Sequence, residues 1–176
     1  MNSQLVISAI GEDQTGLVDR LTEWVLENSC NIEDSRMVIL GGEFAILLLV
    51  SGNWNNIAKL ENQISAMQDK LSMQITAKRT ENKPQQGNLL PYSVDVVALD
   101  HPGIVHNLAS FFSNRHINIQ DLSTATYAAP HTGTAMFSVH MLVDVPADTH
   151  IATLREEFQT FCDQLNLDAG IEPANG

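Results

Sequence analysis

The chain has 176 residues, 9 basic against 21 acidic, and a formal net charge of −12, so direct binding to a phosphate backbone is disfavoured. Hydrophobic residues make up 44%, an ordinary globular share, and no apolar run reaches membrane-spanning length. Cys30 and Cys162 are the only cysteines and have no metal-ligand spacing; with no leader-like segment in view, the expected location is the reducing cytoplasm.

In chain order, Gln4–Ile10 predicts a strand and GEDQTG a tight turn. Leu17, Val18, Leu21, Trp24 and Val25 then fall on one helical face. Ile32–Leu40 predicts a second strand, and Gly41-Gly42 a hairpin. Phe44–Val50 is a continuous apolar run, expected to be a central strand covered on both sides. Ile57, Leu60, Ile64 and Met67 mark a second helix, and Leu71–Ala77 alternate as a closing strand. Residues 81–91, polar with Pro84 and Gly87, are expected to link domains at 1–80 and 92–176.

Beyond Pro91 the order repeats. Tyr92–Ala98 predicts a strand, and Ile104, Val105, Leu108, Phe111 and Phe112 a helix. Ile117–Ala129 and Ala135–Val145 predict two strands, with a turn at Pro130–Gly133. Ile151, Leu154, Phe158 and Phe161 mark the last helix, and Leu165–Ile171 the last strand.

The repeat is visible in the residues themselves. GEDQTGLVDRLTEWVLENSCNIED at Gly11–Asp34 matches ALDHPGIVHNLASFFSNRHINIQD at Ala98–Asp121. Gly16 aligns with Gly103, a shift of 103 − 16 = 87, and Asp13/Asp100, Asn31/Asn118 and Ile32/Ile119 keep that shift. Cys30 falls on Ile117, which argues for a small apolar role and not a catalytic thiol. Ile57 aligns with Ile151 at a shift of 151 − 57 = 94, so the second copy carries seven extra residues. They are expected in a longer hairpin around Pro130-His131. Each half is therefore β-α-β-β-α-β. The predicted class is α+β, two ferredoxin-like units with antiparallel sheets and helices on one face. Exposed sheet faces and edges need cover, so a homodimer or packing of the halves on each other is expected.

The candidate site is the Asp-x-x-Gly turn before each unit's first helix: Asp13, Gly16 and Leu17 in one copy, Asp100, His101, Pro102, Gly103 and Ile104 in the other. The first N–H groups of a helix lack internal partners and suit a carboxylate. Glycine allows close approach to the backbone. An ammonium group would need Asp13, Asp100, or the amide oxygen of Asn31 or Asn118, with Ile32 and Ile119 beside them. Pro102 is expected to preorganise the helix start, and Thr15 replaces it in the first copy. Against this, Asp13 and Asp100 also read as plain helix N-caps, with the glycines only making the turn.

All six histidines (His101, His106, His116, His131, His140 and His150) lie in the second half without a compact ligand pattern. No metal, cofactor or catalytic residue is predicted.

Two such units, each with a Gly at the first strand–helix turn and Asn-Ile at the second strand, resemble tandem ACT domains. Asp100–Val105 looks like that family's first-turn motif. The resemblance implies a non-enzymatic regulator that binds a small amino acid, with glycine expected. It further implies indirect repression of transcription through a protein partner, a DNA-binding activator. Two other classes fit the pattern. One is a regulatory subunit or remnant of a metabolic enzyme such as a folate deformylase. The other is a structural dimerisation module.

Overall fold

The structure is a computed structural model describing residues 2–83 and 87–175, which divide into two compact units on either side of that break. In the first unit, Leu5, Ile7 and Ala9 alternate with less buried residues and form β1 (Asn2–Glu12). The stripe Leu17, Leu21, Trp24 and Val25 is the buried face of α1 (Leu17–Glu27). Then come β2 (Asn31–Leu40), β3 (Glu43–Asn53), α2 (Trp54–Leu71) and β4 (Gln74–Thr80). The Asn53 side chain caps α2 by accepting from Asn56 N at 2.8 Å.

The second unit repeats this with β5 (Leu89–Leu99), α3 (Ile104–Ser113), β6 (Asn118–Ala128), β7 (Ala135–Pro146), α4 (Ile151–Gln164) and β8 (Asp168–Pro173). Here His150 caps α4, its Nδ1 accepting from Thr153 N at 3.2 Å. The sheet orders are β2-β3-β1-β4 and β6-β7-β5-β8, with every pair antiparallel. The α+β, β-α-β-β-α-β expectation is met in both units.

One core lies under each pair of helices. In the first, Ile7, Leu21, Val50, Ile57 and Leu60 are sealed from water. In the second, Phe111 and Phe112 meet Phe158 at ring-centroid distances of 5.2 and 5.5 Å. Each such side chain contributes about 1.5–3 kcal/mol on burial. Trp24 is core, as its spacing predicts, and its Nε1–H donates to Gln63 Oε1 at 2.9 Å.

Three expectations need adjustment. The run Phe44–Val50 is an interior strand but is covered on one side only: Leu47 is 50% exposed, because both helices lie over the face that holds Phe44, Ile46 and Leu48. Strand β5 begins at Leu89, inside the segment expected as linker; Pro91 is tolerated near the strand's start, where its carbonyl accepts from Ala174 N at 3.0 Å. Of that segment, residues 84–86 lie outside the described residues. Third, the extra residues do not all sit in one hairpin. Leu40 pairs with Glu43, while the matching Tyr127 pairs with Met136, so six of the seven lie in the β6–β7 hairpin. The seventh lies between Asp144 and Ile151, in the lead into α4.

Candidate functional site

Both turns have the same geometry. Helix α1 starts after Gly16 at φ 93°, and α3 after Gly103 at φ 94°, with no side-chain cap on either. This removes the reading of Asp13 and Asp100 as N-caps. Their backbones brace the turns instead: Asp13 N–H donates to Gly42 O at 3.1 Å, and Asp100 N–H to Ala135 O at 3.0 Å. A Cβ at Gly16 would find no non-neighbouring atom closer than 3.9 Å, and one at Gly103 none closer than 3.8 Å. Glycine is therefore required here by the left-handed φ, not by crowding. The first-turn N–H groups have no side-chain cap, and they carry the positive end of the helix dipole.

The site residues separate by role. Leu17 and Ile104 are buried first helical residues, so they offer only their N–H groups. Asp13, Asp100, His101 and Pro102 are exposed. Pro102 precedes the cap residue Gly103, so it stands just outside the helix whose start it was expected to preorganise. The His101 Nδ1–H donates to Pro102 O at 3.1 Å, which holds the ring against the turn. The first turns of the helices differ in charge: Asp19 follows Gly16, while the matching position after Gly103 is His106.

Asn31, Ile32, Asn118 and Ile119 do not join these turns within their own units. Asn118 pairs with Asp144, which pairs with Pro91 at the far end of β5. Leu99, beside the Asp100 turn, lies eight residues further along, roughly 26 Å at strand rise. Asn31 stands apart from Asp13 in the same way, since it pairs with Ser51 opposite Gln4. Ile32 and Ile119 pack on the cores, while Asn31 and Asn118 are exposed.

The sequence reading missed polar residues at this second end. A bulge falls between Ile32 and Asp34, and another between Ile119 and Asp121. The bulged Glu33 accepts from Ser51 Oγ, and the bulged Gln120 donates to Asp144 Oδ2 at 2.6 Å. Ser51 and Asp144 are buried polar residues. The shift of 87 between Glu33 and Gln120 was the available signal. Asp34 sits next to this bulge; the hydrogen bond from Arg36, then the Ser35 N–H and the Arg36 charge, hold its carboxyl below the usual range.

Among the described residues no group of three His, Cys, Asp or Glu is placed to hold a metal, and no helix is long and apolar enough to cross a membrane.

Comparison with known proteins adds three findings. The ACT domain family model matches residues 3–78. The glycine cleavage system transcriptional repressor of Escherichia coli K12 is 32% identical over 97% of this chain and 90% of its own length. Two crystal structures match the whole chain. One, described as a candidate glycine cleavage system transcriptional repressor, gives a TM-score of 0.75 at 26% identity, covering 100% of this chain and 99% of that one. The other, an unknown protein from Galdieria sulphuraria, gives 0.81 at 25%, covering 99% and 100%.

Proposed function

This chain belongs to the ACT domain family, a regulatory family, and on that premise we propose that it is a non-enzymatic sensor of glycine that represses transcription through a DNA-binding activator. The observation that carries the reading is the pair of uncapped helix starts at Gly16 and Gly103, open to a small carboxylate. The near full-length likeness to a transcriptional repressor supports the regulatory half. The charge of −12 supports an indirect mode, because a protein this acidic gains nothing from phosphate contacts.

The turn at Asp100–Ile104 is the better of the two. At Gly16 the acidic Asp19 stands in the helix's first turn and opposes a ligand carboxylate; at Gly103 that position is His106. The ligand's carboxylate takes the N–H groups that follow Gly103, and its ammonium faces Asp100. Asn118 and Ile119 lie a strand's length from that turn in their own unit, so they do not contact this ligand there. Glycine has five heavy atoms. At no more than about 1.5 kcal/mol each, its Kd is no tighter than the order of micromolar.

Affinity isolation from cell extract, with and without glycine, tests the function. A glycine-dependent DNA-binding protein is expected in the eluate. Recovery of a metabolic enzyme, or of the same proteins regardless of glycine, would sink the reading. The purified protein alone should give no specific, salt-sensitive shift of duplex DNA.

A further inference from the structure

The second sheet buries one face under α3 and α4, and its open face concentrates negative charge. Residues directly opposite in a ladder share a face. Asp95 on β5 is opposite Gly170 on β8, and the diagonal neighbours on β8 are Asp168 and Glu172. All three carboxylates are exposed, and each diagonal spans roughly 7–8 Å. Gly170 has no side chain, and a Cβ there would meet nothing within 4 Å, so the ground between them is open. No Lys or Arg answers these charges from the sheet: beyond Pro84 the only two are Arg115 and Arg155, and neither is in a strand. His140 approaches Asp95 alone, with its Nδ1 2.8 Å from Asp95 Oδ1. At the matched positions of the first sheet, Ser8 stands for Asp95, Gln74 for Asp168 and Lys78 for Glu172. The charge is therefore particular to this face and not a demand of the fold. Apolar side chains adjoin it on the same face: Val97, Leu99 and Tyr127 are 37%, 59% and 43% exposed.

We propose that the open face of the second sheet docks a basic segment of a protein partner, with arginine or lysine heads over Gly170 and apolar side chains on Val97, Leu99 and Tyr127. The proposal rests on the reading of the chain as a regulator that acts through a partner, and names the surface used. Charge complementarity selects the occupant. Unpaired like charges at neighbouring positions of a sheet cost stability, and an arriving cation removes that cost. The spacing selects the kind of cation. Carboxylates about 7–8 Å apart cannot share one metal ion, whose oxygen ligands lie within about 2.6 Å of it. In agreement, no group of three acidic or histidine side chains among the described residues is placed to hold a metal. A guanidinium carries five donors on a long stem and can meet carboxylates on two strands. A second copy is a poor occupant: this face repels itself, and on the first sheet's open face Arg36 is already paired with Asp34 at 2.5 Å. Salt weakens the docking by screening it.

Fluorescence anisotropy with the full chain and a fluorescein-labelled peptide of alternating arginine and leucine tests the surface without the natural partner. Its outcome is therefore separate from that of the glycine-dependent isolation, which tests the regulatory reading alone. Wild type should bind the peptide, and less tightly as salt is added. The combined variant Asp95→Asn, Asp168→Asn, Glu172→Gln should bind about tenfold more weakly, the sum of three exposed charge pairs. A control with the same change in charge, Glu23→Gln, Glu27→Gln, Asp69→Gln on α1 and α2, should bind nearly as wild type does. As a second measure on wild type alone, peptide-induced amide shifts in nitrogen-15 spectra should centre on β5 and β8 around Gly170. Equal weakening in the two combined variants would mean attraction by net charge only and would overturn the proposal. Shifts centred elsewhere, no peptide binding by wild type, or a self-association of wild type that the first combined variant abolishes would each overturn it as well.

Discussion

Asp100 and Asn118 stand at opposite ends of the second sheet, because β6 runs parallel to β5 and begins where β5 begins. The pairing of Asn118 with Asp144, and of Asp144 with Pro91, sets that separation. Side chains this far apart with no shared partner act independently on stability. Asp100→Ala and Asn118→Ala should therefore add within about 0.5 kcal/mol in urea unfolding. A coupling well above that would show that the two ends communicate through the fold.

Gly16→Val and Gly103→Val should destabilise their units by similar amounts, each about 1–2 kcal/mol, the cost of a left-handed backbone for a residue with a Cβ. The φ values of 93° and 94° and the equal lack of crowding predict the equality. Denaturant unfolding of both variants measures it. A free substitution at either position would mean that its turn does not need the left-handed conformation.

Gln63 holds two groups together. Its Oε1 accepts from Trp24 Nε1 at 2.9 Å and from the buried Asn28 Nδ2 at 2.8 Å. Gln63→Ala takes the side-chain acceptor from Trp24 Nε1, while Asn28 Nδ2 keeps its bond to Trp24 O at 2.9 Å, and should cost about 1–2 kcal/mol. Gln63→Glu keeps an acceptor at neutral pH and should retain most of the stability. Equal stability of wild type and Gln63→Ala would remove this network from the account.

Burial, with Asp163 adding to it, pushes the Cys162 thiol from 9.0 up to about 12. The folded chain thus holds a neutral thiol where the unfolded chain would release its proton. That contribution to stability is complete below pH 9 and is lost as pH rises towards 12. Wild type should therefore lose stability over this window faster than Cys162→Ala does. Parallel pH profiles for the two would show that the thiol titrates normally.

Much of the fold was legible because the repeat checks itself. The helix stripes at Leu17–Val25 and Ile104–Phe112 match position for position, and so do the left-handed glycines that precede them. The cover over Phe44–Val50 was not legible, since an apolar run does not say which of its faces a helix will take. Leu47 and Leu48 are adjacent and chemically identical, yet only Leu48 is buried. The turn that the proposal uses was visible in Asp100–Ile104. Its separation from Asn118 was not, because the shift of 87 aligns the two copies without saying which end of a strand each residue occupies. Strand register decides that, and the bulges at Glu33 and Gln120 leave no local signature beyond the repeat itself.

Isothermal titration calorimetry with glycine tests the central claim most directly. Wild type should bind with an affinity no tighter than the order of micromolar. Gly103→Val should lose that binding, since it adds a side chain at the turn that the ligand's carboxylate is proposed to approach, while Gly16→Val should keep most of it. Unchanged glycine binding in a folded Gly103→Val chain, verified by circular dichroism, would contradict the assignment of the sensing site to the Gly103 turn.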